Sequence, residues 1–115
     1  VVVGYYSISA GSVKKQEATP RAAKGLANHP VPVAVLTRLA IDHTEQGKGL
    51  GKALLKDALL RIDQASKILG IRAVLVHAID QAAREFYKKY DFEECPGNDL
   101  HLMLVMKDLR ALLAS

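Results

Sequence analysis

The sequence predicts an α/β domain in which helices pack on a mixed sheet. Strand and helix patterns alternate along its 115 residues, the order expected when helices cover a sheet. A nearly continuous apolar run over residues 33–41 reads as a central strand covered on both faces. Three glycines, Gly47, Gly49 and Gly51, then lead into a long amphipathic helical pattern.

Residues 1–13 are rich in β-branched and aromatic side chains and read as a strand, with Gly11-Ser12 near a turn or bend. Residues 14–28 are polar and alanine-rich, and Pro20 stands near the start of a possible short helix. Pro30 and Pro32 mark an extended entry to the strand at 33–41. After the glycines, Leu50, Leu54, Leu55, Ala58, Leu59, Ile62 and Leu69 recur at helical spacing, opposite a face carrying Lys48, Lys52, Lys56, Arg61 and Lys67. Gly70 is the expected C′ residue. Residues 72–79 form a further strand, and Asp80 is the expected N-cap of a helix over residues 81–90. Residues 100–106 alternate weakly and are β-like, and residues 108–113 fit a terminal helix. The order is β, short α, β, α, β, α, β and a small tail, without internal repeats, so residues 1–115 are expected to form a single domain.

Half the residues are apolar and 24% are charged, an ordinary globular balance. The formal charge of +4 is compatible with an anionic partner and equally with simple solubility. Cys95 is the only cysteine, so no internal disulfide can form, which fits a reducing compartment. No signal-peptide pattern opens the chain, and no apolar run approaches the ~20 residues of a membrane helix. The expected location is the cytoplasm, with no membrane contact. The four histidines lack metal-ligand spacing, so no metal is implied.

The glycine-rich segment carries the strongest chemical signal. Missing Cβ atoms let backbone N–H groups approach an anion closely. The start of a helix adds unpaired donors and the positive end of its dipole. Together they suit a phosphate group. The Gly-Lys-Ser/Thr ending of a P-loop is absent, and the glycine spacing is not G-x-G-x-x-G. A tight strand-to-helix connection with no ligand is the structural alternative.

Gln46-x-x-Gly49-x-Gly51 resembles the Gln/Arg-x-x-Gly-x-Gly/Ala motif of GNAT acetyltransferases. The resemblance implies the acyl-CoA N-acyltransferase fold and acetyl-CoA as cosubstrate. Its pyrophosphate would be gripped by the segment Gln46, Gly47, Lys48, Gly49, Leu50, Gly51 and Lys52. Leu39, Ala40 and Ile41 on the preceding strand would give backbone bonds to the pantetheine arm. Lys48 and Lys52 suit the phosphates, and equally suit a solvated helix face. Residues 80–92 resemble the second signature, A-x-x-F-Y-x-x-x-G-F, which implies that Tyr87 is the general acid at the CoA sulfur and that Phe86 lies in the core. By spacing alone Tyr87 would read as a core aromatic, and Tyr90 as packing. The signature's glycine is Asp91 here, a residue type that can still adopt the left-handed conformation.

Residues 33–41 contain neither Glu nor Asp, so the carboxylate base that many GNATs carry there is missing. His77 is the alternative base, though a lone strand histidine is more often structural. Without an obvious strong base, the chain fits an acceptor amine of low pKa, such as an α-amine near 8. Residues 29–42, with Gln46 to Gly51 and Leu54-Leu55-Lys56-Asp57-Ala58-Leu59, look like the acetyltransferase toxins of type II toxin–antitoxin pairs. That resemblance implies aminoacyl-tRNA as acceptor and a ribbon-helix-helix antitoxin as partner. A GNAT acting on a small amine or protein N-terminus, or a non-catalytic remnant that binds CoA or antitoxin, are the alternatives. The resemblance also implies that the family's first strand and first two helices precede Val1. The chain would then be an N-terminally truncated domain, about the C-terminal two thirds of a full one, whose uncovered apolar surface favours a homodimer.

Overall fold

The computed structural model describes residues 4–25, 29–41 and 50–114, except for the side chains of residues 4, 5, 38–41 and 50. The elements run β1 (Gly4–Val13), a 3-10 turn (Lys15–Glu17), α1 (Pro20–Ala23), β2 (Val31–Ile41), α2 (Leu50–Ser66), β3 (Ala73–His77), α3 (Gln81–Lys89), β4 (Glu93–Cys95), β5 (Asn98–Val105) and α4 (Met106–Ala114). The strands form one sheet in the order β1-β2-β3-β5-β4. Only β2 and β3 are parallel, with α2 as their crossover, so the sheet is mixed as expected.

Both faces of the central strands are largely covered over residues 33–36, where Val33, Ala34 and Leu36 are buried and Val35 is partly buried, in keeping with the continuously apolar pattern there. On one face Ala34, Leu36, Val74, Val76, Leu102 and Leu104 pack beneath α2, α3 and α4. On the other, Val31, Val33, Ala73, Leu75, Met103 and Val105 meet Ala18, Ala22 and Ala23 around the short α1. Thr19 caps that helix by accepting from the Ala22 N–H, and Pro20 opens it, where no N–H is required. Arg21 then pairs bidentately with Asp108 of α4 and with Glu93 of β4.

Several expectations change in detail. Gly11 and Ser12 do not turn the chain. They pair with Val33 and Pro32 inside β1. Pro32 sits within β2 without loss of a ladder bond. Its carbonyl accepts from the Arg72 N–H, so its ring nitrogen faces the same side, just before β3 begins. α2 ends at Ser66, and Gly70 is not its left-handed C′ residue. The Ser66 hydroxyl donates to the Asp63 carbonyl, and the amides of residues 67–69 fold back onto Gln64 and Ala65. That turn satisfies the helix end early and leaves Ile68 and Leu69 exposed rather than on the apolar stripe. β4 was not legible in sequence, because two of its three residues are glutamates. It is a short, charged edge strand, a form that resists edge-to-edge pairing.

The Cys95 thiol, buried on β4, is pushed up to about 11 by burial. An unfolded thiol ionises nearer 9, so between these values the unfolded chain sheds its proton first and stability falls as pH rises. The expected loss from Cys95 between pH 9 and 11 is about 2–3 kcal/mol. Denaturant titrations across that range should show it, and Cys95→Ala should flatten the slope. A variant with the same slope would assign the loss to other groups. Among the described residues no helix is long and apolar enough to cross a membrane.

Candidate active site

β2 and β3 separate into a fork. Their pairing runs from Val33↔Ala73 to Leu36↔Val76 and then stops. Beyond that point β2 continues to Ile41 on β1, while His77 pairs with His101 on β5. A bulge accompanies the split. Tyr5 pairs with Ala40 and Ser7 with Thr37, so two steps along β1 oppose three along β2. An extra residue bends its strand and increases local twist, which turns the end of β2 away from β3. Leu39, Ala40 and Ile41 lie on this diverging stretch, where among the described residues the β3-facing edge has no strand partner. Such an edge offers backbone donors and acceptors to an extended polar ligand.

Of the glycine-rich segment, Gln46, Gly47, Lys48 and Gly49 lie outside the described residues. Leu50, Gly51 and Lys52 form the first turn of α2, with Gly51 buried and Lys52 exposed. No acidic residue occupies that turn of the 17-residue helix, where the positive end of the helix dipole lies. Lys52 and Lys56 follow at one helical turn's spacing on the same face. With Leu55, Tyr90 and Leu112 they line a cavity of about 220 Å³. Two cations, an aromatic ring and two leucines suit a ligand end that is both anionic and flat. Lys56, Tyr90 and Leu112 were not expected to share a site, because they come from α2, from the C-cap of α3 and from α4.

Tyr87 projects from α3 into the core beneath the sheet, only 7% exposed. The helix is fixed at both ends. Asp80 accepts from the Ala83 N–H at 2.8 Å as the N-cap. Asp91 takes φ 71° after the C-terminus, the left-handed position where the family signature has glycine. Arg84 and Lys88 reach Glu94 and clamp α3 onto β4. These charges draw the Glu94 carboxyl below its usual range, chiefly through the hydrogen bond from Lys88. Phe86 and Phe92 hold the Tyr87 ring, with centroids 5.4 and 5.3 Å away. Phe86 was expected in the core. It is half-buried at the edge of the cluster, and Tyr87 is the residue fully inside. Tyr90 packs edge-on against Phe86 and also faces the lysine-lined cavity.

Burial pushes the Tyr87 phenol up to about 12, above the ordinary tyrosine value near 10. Its hydroxyl has no hydrogen-bond partner among the described residues, yet no buried side-chain oxygen there is left unsatisfied. The residue keeps 7% of its surface exposed, the opening through which an acid would have to meet a substrate.

On the opposite face of the sheet, α1 stops short of the fork. The uncovered part is an open cavity of about 440 Å³. Val33, Val35 and Leu75 line it together with His77, His101, Cys95, Lys14 and Glu17. Gly11 belongs there as well, and a Cβ on it would come within 3.2 Å of the Val35 side chain. Among the described residues, no group of three or more His, Cys, Asp or Glu side chains could hold a metal.

The acetyltransferase (GNAT) domain profile matches residues 2–94. The chain belongs to the GNAT acetyltransferase family. Among GNAT relatives, a tRNA-acetylating toxin of Mycobacterium tuberculosis is 51% identical over 112 residues, a match covering 97% of this chain and 67% of the toxin. The structure of AtaT complexed with acetyl-methionyl-tRNAfMet superposes with a TM-score of 0.86 at 28% identity, covering 96% of this chain and 66% of that one. A Tyr-to-Phe mutant of the AtaT toxin, bound to acetyl-CoA and to the C-terminus of the antitoxin AtaR, gives 0.80 at 31% identity, covering 99% and 67%. This GNAT chain thus spans about two thirds of the length of these relatives. The α/β mixed-sheet GNAT fold read from the sequence is the fold observed.

Proposed function

We propose that the chain moves acetyl from acetyl-CoA to the α-amino group of an aminoacyl-tRNA, and so acts as a translation-blocking toxin. The observation that carries this reading is the fork between β2 and β3 beyond Leu36 and Val76. A thioester arm laid along Leu39, Ala40 and Ile41 would have its phosphates at the α2 N-terminus. Gln46, Gly47, Lys48, Gly49, Leu50, Gly51 and Lys52 are the proposed grip on those phosphates. The cavity lined by Lys52, Lys56 and Tyr90 suits the nucleotide end of the same molecule. Tyr87 is the proposed acid at the sulfur.

The acceptor class rests on different support. The 51% identical relative is a tRNA-acetylating toxin, and a related toxin structure holds an acetylated aminoacyl-tRNA. An aminoacyl ester has an α-amine of low pKa, which suits a β2 without a carboxylate base. A net charge of +4 favours the approach of tRNA. The same reading includes residues 1–115 as a single GNAT domain, a ribbon-helix-helix antitoxin as partner, residence in the cytoplasm, and a homodimer, for which exposed Ile68 and Leu69 supply apolar surface.

The test incubates the chain with acetyl-CoA and purified, fully charged tRNA, and follows thiol release together with the mass of the aminoacyl group. The expected result is one thiol released per acetylated aminoacyl ester, at a rate that falls steeply with added salt. Thiol release with free amines or peptide N-termini, and none with charged tRNA, would replace this acceptor by a small amine or protein. Tight acetyl-CoA binding with no release on any acceptor would reduce the chain to a binding module.

A further inference from the structure

His77 is the first residue of β3 beyond its last pair with β2, so it stands where the fork opens. Its side chain lies on the face away from Tyr87, with Leu75 along the floor of the open cavity. Directly across the ladder is His101. The two imidazoles stack, with centroids 4.0 Å apart and planes within 10°. Stacked rings at that separation cannot both carry charge at little cost. β2 supplies no carboxylate over residues 33–41. The titratable side chains that share this cavity with His77 are His101 of β5, Cys95 of β4, Lys14 at the end of β1 and Glu17 of the 3-10 turn.

We propose that His77, stacked on His101 at the mouth of the fork, takes the proton released by the attacking amine. The proposal rests on the acetyltransferase reading above and adds the base that residues 33–41 lack. In the step, the amine nitrogen attacks the thioester carbonyl carbon. The C–N bond forms and the C–S bond breaks. The nitrogen gives a proton to His77, and the departing sulfur takes one from Tyr87. Both side chains then exchange protons with solvent. Acid and base thus approach the reacting carbon from opposite faces of the sheet, through the one gap between its central strands. The imidazole is suited to the role. Partial burial, and secondly the His101 charge, hold its pKa below the ordinary histidine value. It is therefore a free base at neutral pH.

The experiment is the pH dependence of kcat/KM for acetyl transfer to charged tRNA. In the wild type, two groups must be unprotonated, the amine and His77. The profile should fall with slope one below the pKa of the amine and slope two below that of His77. In His77→Gln the lower break should vanish, leaving slope one throughout. The rate at pH 7 should drop about 10²-fold, with the KM for acetyl-CoA unchanged. His77→Asn should behave alike, and added imidazole should restore part of its rate in proportion to its concentration. A merely structural histidine would lower the rate evenly across pH and would not respond to imidazole. Two slopes persisting in both His77 variants would overturn the proposal, as would loss of the lower break in Glu17→Gln instead. If the wild type transfers nothing to any amine, the acetyltransferase reading falls and His77 loses its role with it. If it transfers with a profile that His77 does not alter, only the base is wrong.

Discussion

Tyr87→Phe should lower kcat for acetyl transfer by about 10²–10⁴-fold, while acetyl-CoA binds as before. The change removes one oxygen and leaves the ring between Phe86 and Phe92, so fold and cofactor affinity should hold. The phenol is pushed up to about 12, against about 8.5 for a simple thiol. Complete proton transfer to a free thiolate would then be uphill by about 5 kcal/mol. In the proposed role the hydroxyl would stabilise the sulfur by donating a hydrogen bond as charge develops, with the proton crossing only as the C–S bond breaks. Two consequences separate this role from packing. The alkaline side of the wild-type profile should show no loss from Tyr87 below about pH 11, because the group is still protonated there. Calorimetry should give the same acetyl-CoA affinity for Tyr87→Phe and the wild type. Near-normal kcat in the variant would end the assignment of Tyr87 as the acid, whatever the acceptor.

The largest effect on stability is expected at Leu59. Its side chain is fully buried on α2, among the residues that join the crossover helix to β2, β3 and α4. Leu59→Ala should cost about 2–5 kcal/mol, from lost transfer energy plus the cavity left behind. In a domain of this size each kcal/mol moves Tm by about 4–8 °C, so the melting point should drop by 10 °C or more, roughly. The adjacent Leu60 is 46% exposed, and Leu60→Ala should stay within about 0.5 kcal/mol. Denaturant unfolding of the two variants checks both figures. Similar losses at the two sites would mean that the face of α2 turned to the sheet is wrong. Because α2 also carries the first turn beneath the proposed phosphate grip, Leu59→Ala should unfold at lower denaturant even with saturating acetyl-CoA. Ligand would add about the same increment to it as to the wild type.

Much of this molecule was legible in the chain. The 3.6-residue stripe of Leu55, Ala58, Leu59 and Ile62 on α2, the Asp80 cap, and the tolerance of Asp91 for the left-handed region each depend on neighbours within a turn or two. The run at 33–41 announced a doubly covered strand, because burial on both faces removes alternation, and residues 33–36 are covered in that way. Tyr87 was singled out by its resemblance to the signature, and its burial bears out the helical spacing that made it read as a core aromatic. Other features had no local signal. Nothing in residues 67–70 distinguishes a continuing stripe from the early stop that the Ser66 turn imposes. β4 is held by its pairing with β5 and by its ion pairs to α1 and α3, not by its own composition. The fork exists because β2 keeps β1 as partner while β3 keeps β5, and a bulge against β1 resolves the conflict. His77 meets His101 only through the register of two strands separated by a helix and a hairpin, and Lys56, Tyr90 and Leu112 converge only through helix packing. The sequence by itself determined periodicity, caps and backbone tolerance, because those energies are settled over a few consecutive residues. Register, splay and the meeting of distant side chains waited on the tertiary structure, because their energies arise only when far-separated segments touch.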